Sequence, residues 1–218
     1  MLNTALRKAH VSLLSLPDGE SPDRLILLTN LGNIVCMSTE WLQKIRGSIQ
    51  LAKLPEEEEI VSACFLESDQ DLLIITRKGN TLHLAASSIH KRKGKGTQPQ
   101  KGIKLSDDDS AVVCMPYVAD LIIAKENGQL AAINRHINPI ATCGSSGVKL
   151  AEGSKVVSVI NRADAIALVD SSGYMIIVDA KDFSFKTRNQ GVNAKKLSRD
   201  SKLICAIGLN YRENNKSN

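Results

Sequence analysis

Residues 71–85 read DLLIITRKGNTLHLA, and the fold follows from the way that order recurs. It returns as DRLILLTNLGNIVCMS at 23–38, DLIIAKENGQLAAIN at 120–134 and DAIALVDSSGYMIIVD at 164–179. Each copy opens on an acidic residue, runs through a short apolar stretch, turns through polar residues ending in Gly, and enters a second strand-like run. Runs this short, rich in branched apolar residues and bounded by Gly, Asn, Asp or Ser, are strands rather than helices. Two of them across a Gly-bearing turn make a hairpin.

The turn glycines Gly32, Gly79, Gly128 and Gly173 lie 47, 49 and 45 residues apart. Lys-Leu pairs at 53–54, 104–105, 149–150 and 196–197 recur at 51, 45 and 47 residues, so two independent markers give one period. After each pair come a polar turn and another β-branched run: IVSACF (60–65), AVVCMP (111–116), VVSVI (156–160) and LICAIG (203–208). A unit of this length with four short strands cannot bury both faces alone, so it stacks on its neighbours as propeller blades do. The expected fold is all-β and propeller-like, with about four to five four-stranded blades. Repeats are expected at about 23–68, 69–118, 119–162 and 163–210, forming one domain over 23–210. Residues 1–22 lack the opening run and are assigned as an N-terminal strand or partial blade, and 211–218 as a polar tail. Trp41–Ile45 is the one short turn-like exception. Cys64, Cys114 and Cys205 are read at corresponding places in three of the final runs, with Ser158 in the other, which suggests a buried, size-limited position.

With 218 residues and 43% hydrophobic content the chain can bury a core without metal or disulfide. The five cysteines, Cys36, Cys64, Cys114, Cys143 and Cys205, show no CxxC or ligand spacing and read as reduced core residues. No run approaches the roughly 18 apolar residues of a membrane span, so the expectation is a soluble, cytoplasmic protein without membrane contact. His10, His83, His90 and His136 are scattered, and no nucleophile, phosphate-loop or zinc motif is present. Neither catalytic residue nor metal nor cofactor is therefore assigned. The acidic runs Glu56–Glu59 and Asp107–Asp109 read as solvated turns.

Net charge is +5, and only 3% of residues are aromatic. That scarcity removes the stacking platforms of single-strand binders and leaves phosphate contact to duplex DNA as the nucleic-acid mode. Charge is sharpest between His90 and Lys104, where Lys91, Arg92, Lys93, Lys95, Lys101 and Lys104 occur without an acid among them. Gly94, Gly96 and Gly102 let backbone N–H groups approach phosphate oxygens, and the cations release condensed counterions on binding. The bland reading of the same stretch is a solvated loop. A second basic group, Lys181, Lys186, Arg188, Lys195, Lys196, Arg199 and Lys202, lies in the fourth repeat, whereas the third repeat is poorer. The repeated Lys53, Lys104, Lys149 and Lys196 read equally as strand-end residues shielding an edge or as phosphate contacts.

The order in DLLIITRKGNTLHL with KGIKLSDDDSAVV, in SSGVKLAEGSKVVSVI (145–160) and in KTRNQGVNAKKLSRDSKLICAI (186–207) resembles the repeats of a known family. That family is the C-terminal domains of the A subunits of bacterial type IIA topoisomerases, DNA gyrase and topoisomerase IV. The resemblance implies a β-pinwheel whose blades exchange strands and whose basic outer rim bends duplex DNA. It also implies a nucleoid-associated, non-catalytic module. Its partners would be the A subunit's cleavage core, which carries the catalytic tyrosine, and through it the ATPase B subunit. The gyrase signature Q-R-R-G-G-K-G is matched only in part by Lys91-Arg92-Lys93-Gly94-Lys95-Gly96-Thr97, which lacks the leading Gln, so a topoisomerase IV-like domain is favoured. Of the corresponding stretches KIRGS (44–48), TCGSSG (142–147) and TRNQG (187–191), the first and last add Lys44, Arg46 and Arg188 to the expected DNA contacts. A WD- or kelch-like interaction scaffold is the alternative of compatible period, although the Gly-His and Trp-Asp signatures are absent and Trp41 stands alone.

Overall fold

The computed structural model describes residues 22–91, 97–118, 120–134, 139–151, 153–161, 163–182, 191–192 and 200–210. The chain divides into two compact units. One comprises Met1–Thr76, Thr81–Tyr117 and Asn138–Val148; the other comprises Arg77–Asn80, Val118–Ile137 and Lys149–Asn218.

Every repeated apolar run forms a strand. In chain order these are β1 (Arg24–Thr29), β2 (Asn33–Ser38), β3 (Ile60–Leu66), β4 (Leu72–Thr76), β5 (Asn80–Leu84), β6 (Gln100–Lys101), β7 (Ala111–Pro116), β8 (Asp120–Lys125) and β9 (Leu130–Asn134). They continue as β10 (Ile140–Ala141), β11 (Val148–Lys149), β12 (Val156–Ile160), β13 (Ala165–Asp170), β14 (Met175–Asp179), β15 (Gly191–Val192) and β16 (Leu203–Leu209). Trp41 lies in α1 (Thr39–Leu42), a single helical turn.

Four small sheets result, one per repeat, with orders β3-β1-β2-β6, β10-β5-β4-β7 (β11 also on β5), β12-β8-β9-β15 and β14-β13-β16. The repeat supplies three antiparallel strands of its own sheet, with the opening strand central. The outermost strand comes from the following repeat: Gln100 and Lys101 pair with Ile34 and Asn33, and Gly191 and Val192 pair with Ala131 and Leu130. Strand exchange is thus present, as the β-pinwheel reading implies. Two of the sheets have four strands, one has five, and the last has three among the described residues.

The turns explain the sequence grammar. Gly32, Gly128 and Gly173 donate their N–H to the carbonyl three residues back at 2.8–3.0 Å and lie at φ between +77° and +83°. At the residue three before Gly, Thr29 accepts the N–H of Asn33 on its hydroxyl (3.1 Å), and Asp170 accepts those of Ser172 and Tyr174 on one carboxylate oxygen. The following turn residue anchors the innermost strands: the carbonyl of Asn30 accepts the N–H of Ala111, and that of Glu126 the N–H of Leu203. One acidic run departs from the solvated reading. Glu58 is buried and accepts hydrogen bonds from Thr29 Oγ1 (2.5 Å) and Asn33 Nδ2 (2.7 Å), locking the first turn, while Glu56, Glu57 and Glu59 are exposed.

Within the first unit, one face of the first sheet (Ile26, Leu28, Ile34, Cys36, Cys64) packs on the second (Leu72, Ile74, Leu82, Cys114). Each buried Leu or Ile side chain here contributes roughly 1.5–3 kcal/mol by leaving water. The opposite face of the first sheet (Leu25, Leu27, Val35, Met37) is covered by Trp41, Leu42 and Leu51. Within the second unit, Ile122, Ala124, Leu130 and Ile160 pack on Ile166, Leu168 and Ala206. The other face of that last sheet, with Met175, Ile177 and Ile207, is exposed.

Register corrects the reading of the cysteines. Ile60, Ala111, Val156 and Leu203 each pair with the residue three before a turn Gly. Counting from these, Cys64, Cys114 and Cys205 stand four, three and two residues along their strands, so they are not equivalent; Ser62, Ser158 and Cys205 are. A one-residue step reverses the face of a strand, and aligning by residue type alone misses it.

Candidate nucleic-acid interface

Strand exchange determines where the basic residues stand. β6 and β11 lie outermost in their sheets because each leaves its own repeat to pair with the preceding hairpin. Both end in an exposed lysine, Lys101 and Lys149. The exchanged chain can lie so close because glycines line the contact. Gly102 and Ile103 both donate to the Gly32 carbonyl (3.0 and 2.9 Å), and a Cβ on Gly32 would meet the Ile103 carbonyl oxygen at 2.7 Å. Lys101 Nζ donates to the Leu31 carbonyl at 3.0 Å, which holds its charge beside the turn.

The remaining expected contacts separate into several groups. Lys91 is exposed, and its charge, together with that of Arg24, helps hold the Asp23 carboxyl below its ordinary 3.8, though the hydrogen bond from Ser68 is the larger cause. Lys104 is exposed and donates its backbone N–H to Ser145 (2.9 Å), beside the Gly144–Gly147 turn of the third repeat. Lys44 is exposed but pairs with Glu40 at 2.7 Å, one helical turn earlier. Arg46 donates to the carbonyls of Gln43 and Ile45 at 2.9 and 3.2 Å. These bonds are solvent-exposed, and such pairs contribute little to stability, so both cations can be drawn to a phosphate at small cost. Arg92, Lys93, Lys95, Lys186, Arg188, Lys195 and Lys196 lie outside the described residues.

Two of the repeated lysines, read from the sequence equally as edge shields or phosphate contacts, are exposed as well. Thr97, the last residue of the KRKGKGT stretch, donates its N–H to Leu51 (3.1 Å) and accepts that of Lys53 (3.4 Å). This brings exposed Lys53 to the end of the basic stretch. Lys149 is the second, and its signal was the match of GVKL (147–150) to GIKL (102–105). Other cations serve the fold. Arg24 is 5% exposed and donates to the carbonyls of Glu67 (2.9 Å) and Ala86 (3.3 Å), and Lys125 is 6% exposed. Lys202 pairs with Glu126 at 3.3 Å but is exposed, as Lys44 is.

No group of three or more His, Cys, Asp or Glu among the described residues is arranged to hold a metal. His83 is buried, with Nε2 2.8 Å from Asp71 Oδ2 and its ring stacked on Tyr117 at 3.5 Å, a packing role. No described helix is long and apolar enough to cross a membrane.

The family model described as the DNA gyrase C-terminal domain, beta-propeller, matches residues 70–116 and 171–204. Those are the second repeat and much of the fourth. No curated protein matches the sequence significantly. Among solved structures, a DNA gyrase A C-terminal domain superposes with TM-score 0.74 at 21% identity, over 89% of this chain and 67% of that one. The C-terminal domain of a DNA topoisomerase IV gives 0.76 at 16% identity, over 88% of this chain and 64% of that one. The E. coli ParC C-terminal domain gives 0.62 at 13% identity, over 87% and 80%. At these identities the structural likeness is one of fold, and the chain spans about two thirds of the first two structures. The leaning toward topoisomerase IV drawn from residues 91–97 is not resolved by such similar scores. The family match over these two stretches and the shared β-pinwheel fold make the chain similar to the C-terminal domains of DNA gyrase A and topoisomerase IV.

Proposed function

We propose that the chain is a non-catalytic accessory domain of a type IIA topoisomerase A subunit that binds and bends duplex DNA through its phosphates, presenting a segment for strand passage. The observation that carries this reading is the position of Lys101 and Lys149. Both are exposed on exchanged outermost strands, where a cation reaches a backbone without disturbing the core. Lys53, Lys91 and Lys104 extend the basic surface of the first unit. Contacts of this kind are blind to sequence and strongly salt-dependent. The cleavage tyrosine belongs to the A subunit's catalytic core, which with the ATPase B subunit completes the enzyme.

Fluorescence anisotropy with a duplex of about 40 base pairs across a salt series tests the proposal. Engagement of about five phosphates gives a slope of log affinity against log salt of roughly −4 to −5. Affinity that ignores salt, or absence of binding at low salt, overturns it. Nicking and religating relaxed plasmid on the protein then separates the modes: a linking-number change indicates wrapping, and binding without one indicates a topoisomerase IV-like role. A second reading, a protein-interaction scaffold, rests on the exposed apolar residues Met175, Ile177 and Ile207. It predicts salt-insensitive partner capture instead.

A further inference from the structure

Of the five cysteines, two from different repeats meet. Cys64 Sγ lies 3.8 Å from Cys114 Sγ, where the innermost strands of the first two sheets, β3 and β7, run side by side. The contact is held by its surroundings. Ser62 Oγ accepts the N–H of Cys114 at 3.1 Å and donates to the carbonyl of the same residue at 3.4 Å, fixing the two strands laterally. Both thiols belong to the core that joins these sheets, and Cys36 belongs to it too.

The second unit contains the same junction without the thiols. Ser158 Oγ accepts the N–H of Ala206 at 3.0 Å, reproducing the Ser62–Cys114 bond between β12 and β16. By register, the residues there that correspond to Cys64 and Cys114 are Ile160 and Ala206. An apolar pair therefore meets the packing requirement at this place, and packing alone does not call for two sulfurs.

We propose that Cys64 and Cys114 are a redox modification site, convertible by a small hydroperoxide to a disulfide that staples the first sheet to the second. One thiolate attacks the peroxide oxygen, the O–O bond breaks, and a sulfenic acid forms with release of the alcohol, or of water from hydrogen peroxide. The second thiol then attacks that sulfur and expels water as the S–S bond closes. Two thiols lose two electrons and two protons in all, and the peroxide is reduced. The sulfurs must approach from contact distance to about 2.05 Å as the bond closes. Burial of both residues, at 8% and 3% exposure, makes entry of the oxidant depend on local opening between β3 and β7. The hydrogen bond with the Cys114 thiol, together with burial, also pushes the Cys64 thiol above its ordinary range, so the reaction is slow in the closed state.

The test is incubation of the reduced full chain with hydrogen peroxide, quenching, alkylation under denaturing conditions, and peptide mass mapping. The expected result is a Cys64–Cys114 cross-linked peptide two hydrogens lighter than its parts. It should be absent in Cys64→Ser and Cys114→Ser, retained in Cys143→Ser and Cys205→Ser, and reversed by dithiothreitol. Thermal unfolding of the oxidised chain should shift upward by about 5–10 °C, because the bond closes a loop of some fifty residues. The proposal is overturned if the wild-type chain, still folded by circular dichroism, accumulates oxidised Cys143 or Cys205 without this peptide. It is equally overturned if all cysteine pairings form indiscriminately. Both readouts use the wild-type chain, so they do not depend on whether a serine variant folds.

Discussion

The backbone N–H of Ile103 donates to the carbonyl of Gly32 at 2.9 Å, tying the turn of the first repeat to the segment that follows β6 in the second. The same relation recurs where Leu150 and Ala151 donate to Gly79 at 3.1 and 3.2 Å. These bonds make one repeat's turn the seat of the next repeat's chain. Several measurable consequences attach to them and to the charges they position.

Gly32→Ala should destabilise the protein by about 2–4 kcal/mol, because alanine resists the left-handed conformation and its Cβ would strike the Ile103 carbonyl. Gly47→Ala has a similar φ of +79° but meets nothing within 4 Å, so it should cost only about 1–2 kcal/mol. Urea unfolding of the two variants measures the difference. Equal losses would show that the seat contributes nothing beyond backbone strain.

Lys101→Glu and Lys149→Glu should each weaken duplex binding and reduce the magnitude of the salt slope by about one. Neither should alter thermal stability by more than about 0.5 kcal/mol, since both side chains are exposed. Anisotropy across salt with a parallel melt decides this. Reversal at Arg92 and Lys93 should weaken binding more than reversal at Lys155, and comparable losses would count against a basic stretch at 91–104 as the main contact.

Glu58→Ala should cost about 1–3 kcal/mol, because the Thr29 hydroxyl and the Asn33 amide lose a shared buried acceptor. Alanine at exposed Glu56 or Glu57 should change stability by less than about 0.5 kcal/mol. Chemical denaturation of the three variants is sufficient. If all three behave alike, the run is a solvated turn throughout.

Asp23 titrates below 3.8 in the folded chain, chiefly through the hydrogen bond from Ser68, with Lys91 and Arg24 adding to it. A depressed folded value means that this carboxylate supports the fold above its unfolded pKa and ceases to do so as pH falls through the folded one. Carboxyl chemical shifts followed by NMR should therefore place its midpoint below that of a model aspartate. Ser68→Ala should raise the midpoint more than Lys91→Ala. The reverse order would make charge, rather than the hydrogen bond, the dominant cause.

The strands, the period and the hairpins are legible in the order of residues alone. Those depend on local chemistry: short apolar runs, a positive-φ Gly such as Gly79 closing the turn, and a hydrogen-bonding residue three positions earlier, as Thr29 and Asp170 show. The basic stretch at 91–104 was equally legible, because adjacent like charges are visible without a fold. Which sheet each short strand joins, and which side chains face one another, depend on contacts between repeats distant in the chain. The two-residue strands β6, β11 and β15 carry almost no local signal; they exist because a neighbouring repeat offers an edge to pair with. The fold likewise set Cys64 and Cys205 at different strand positions, buried Glu58 against the first turn and brought Lys53 to Thr97, and residue type alone reveals none of these.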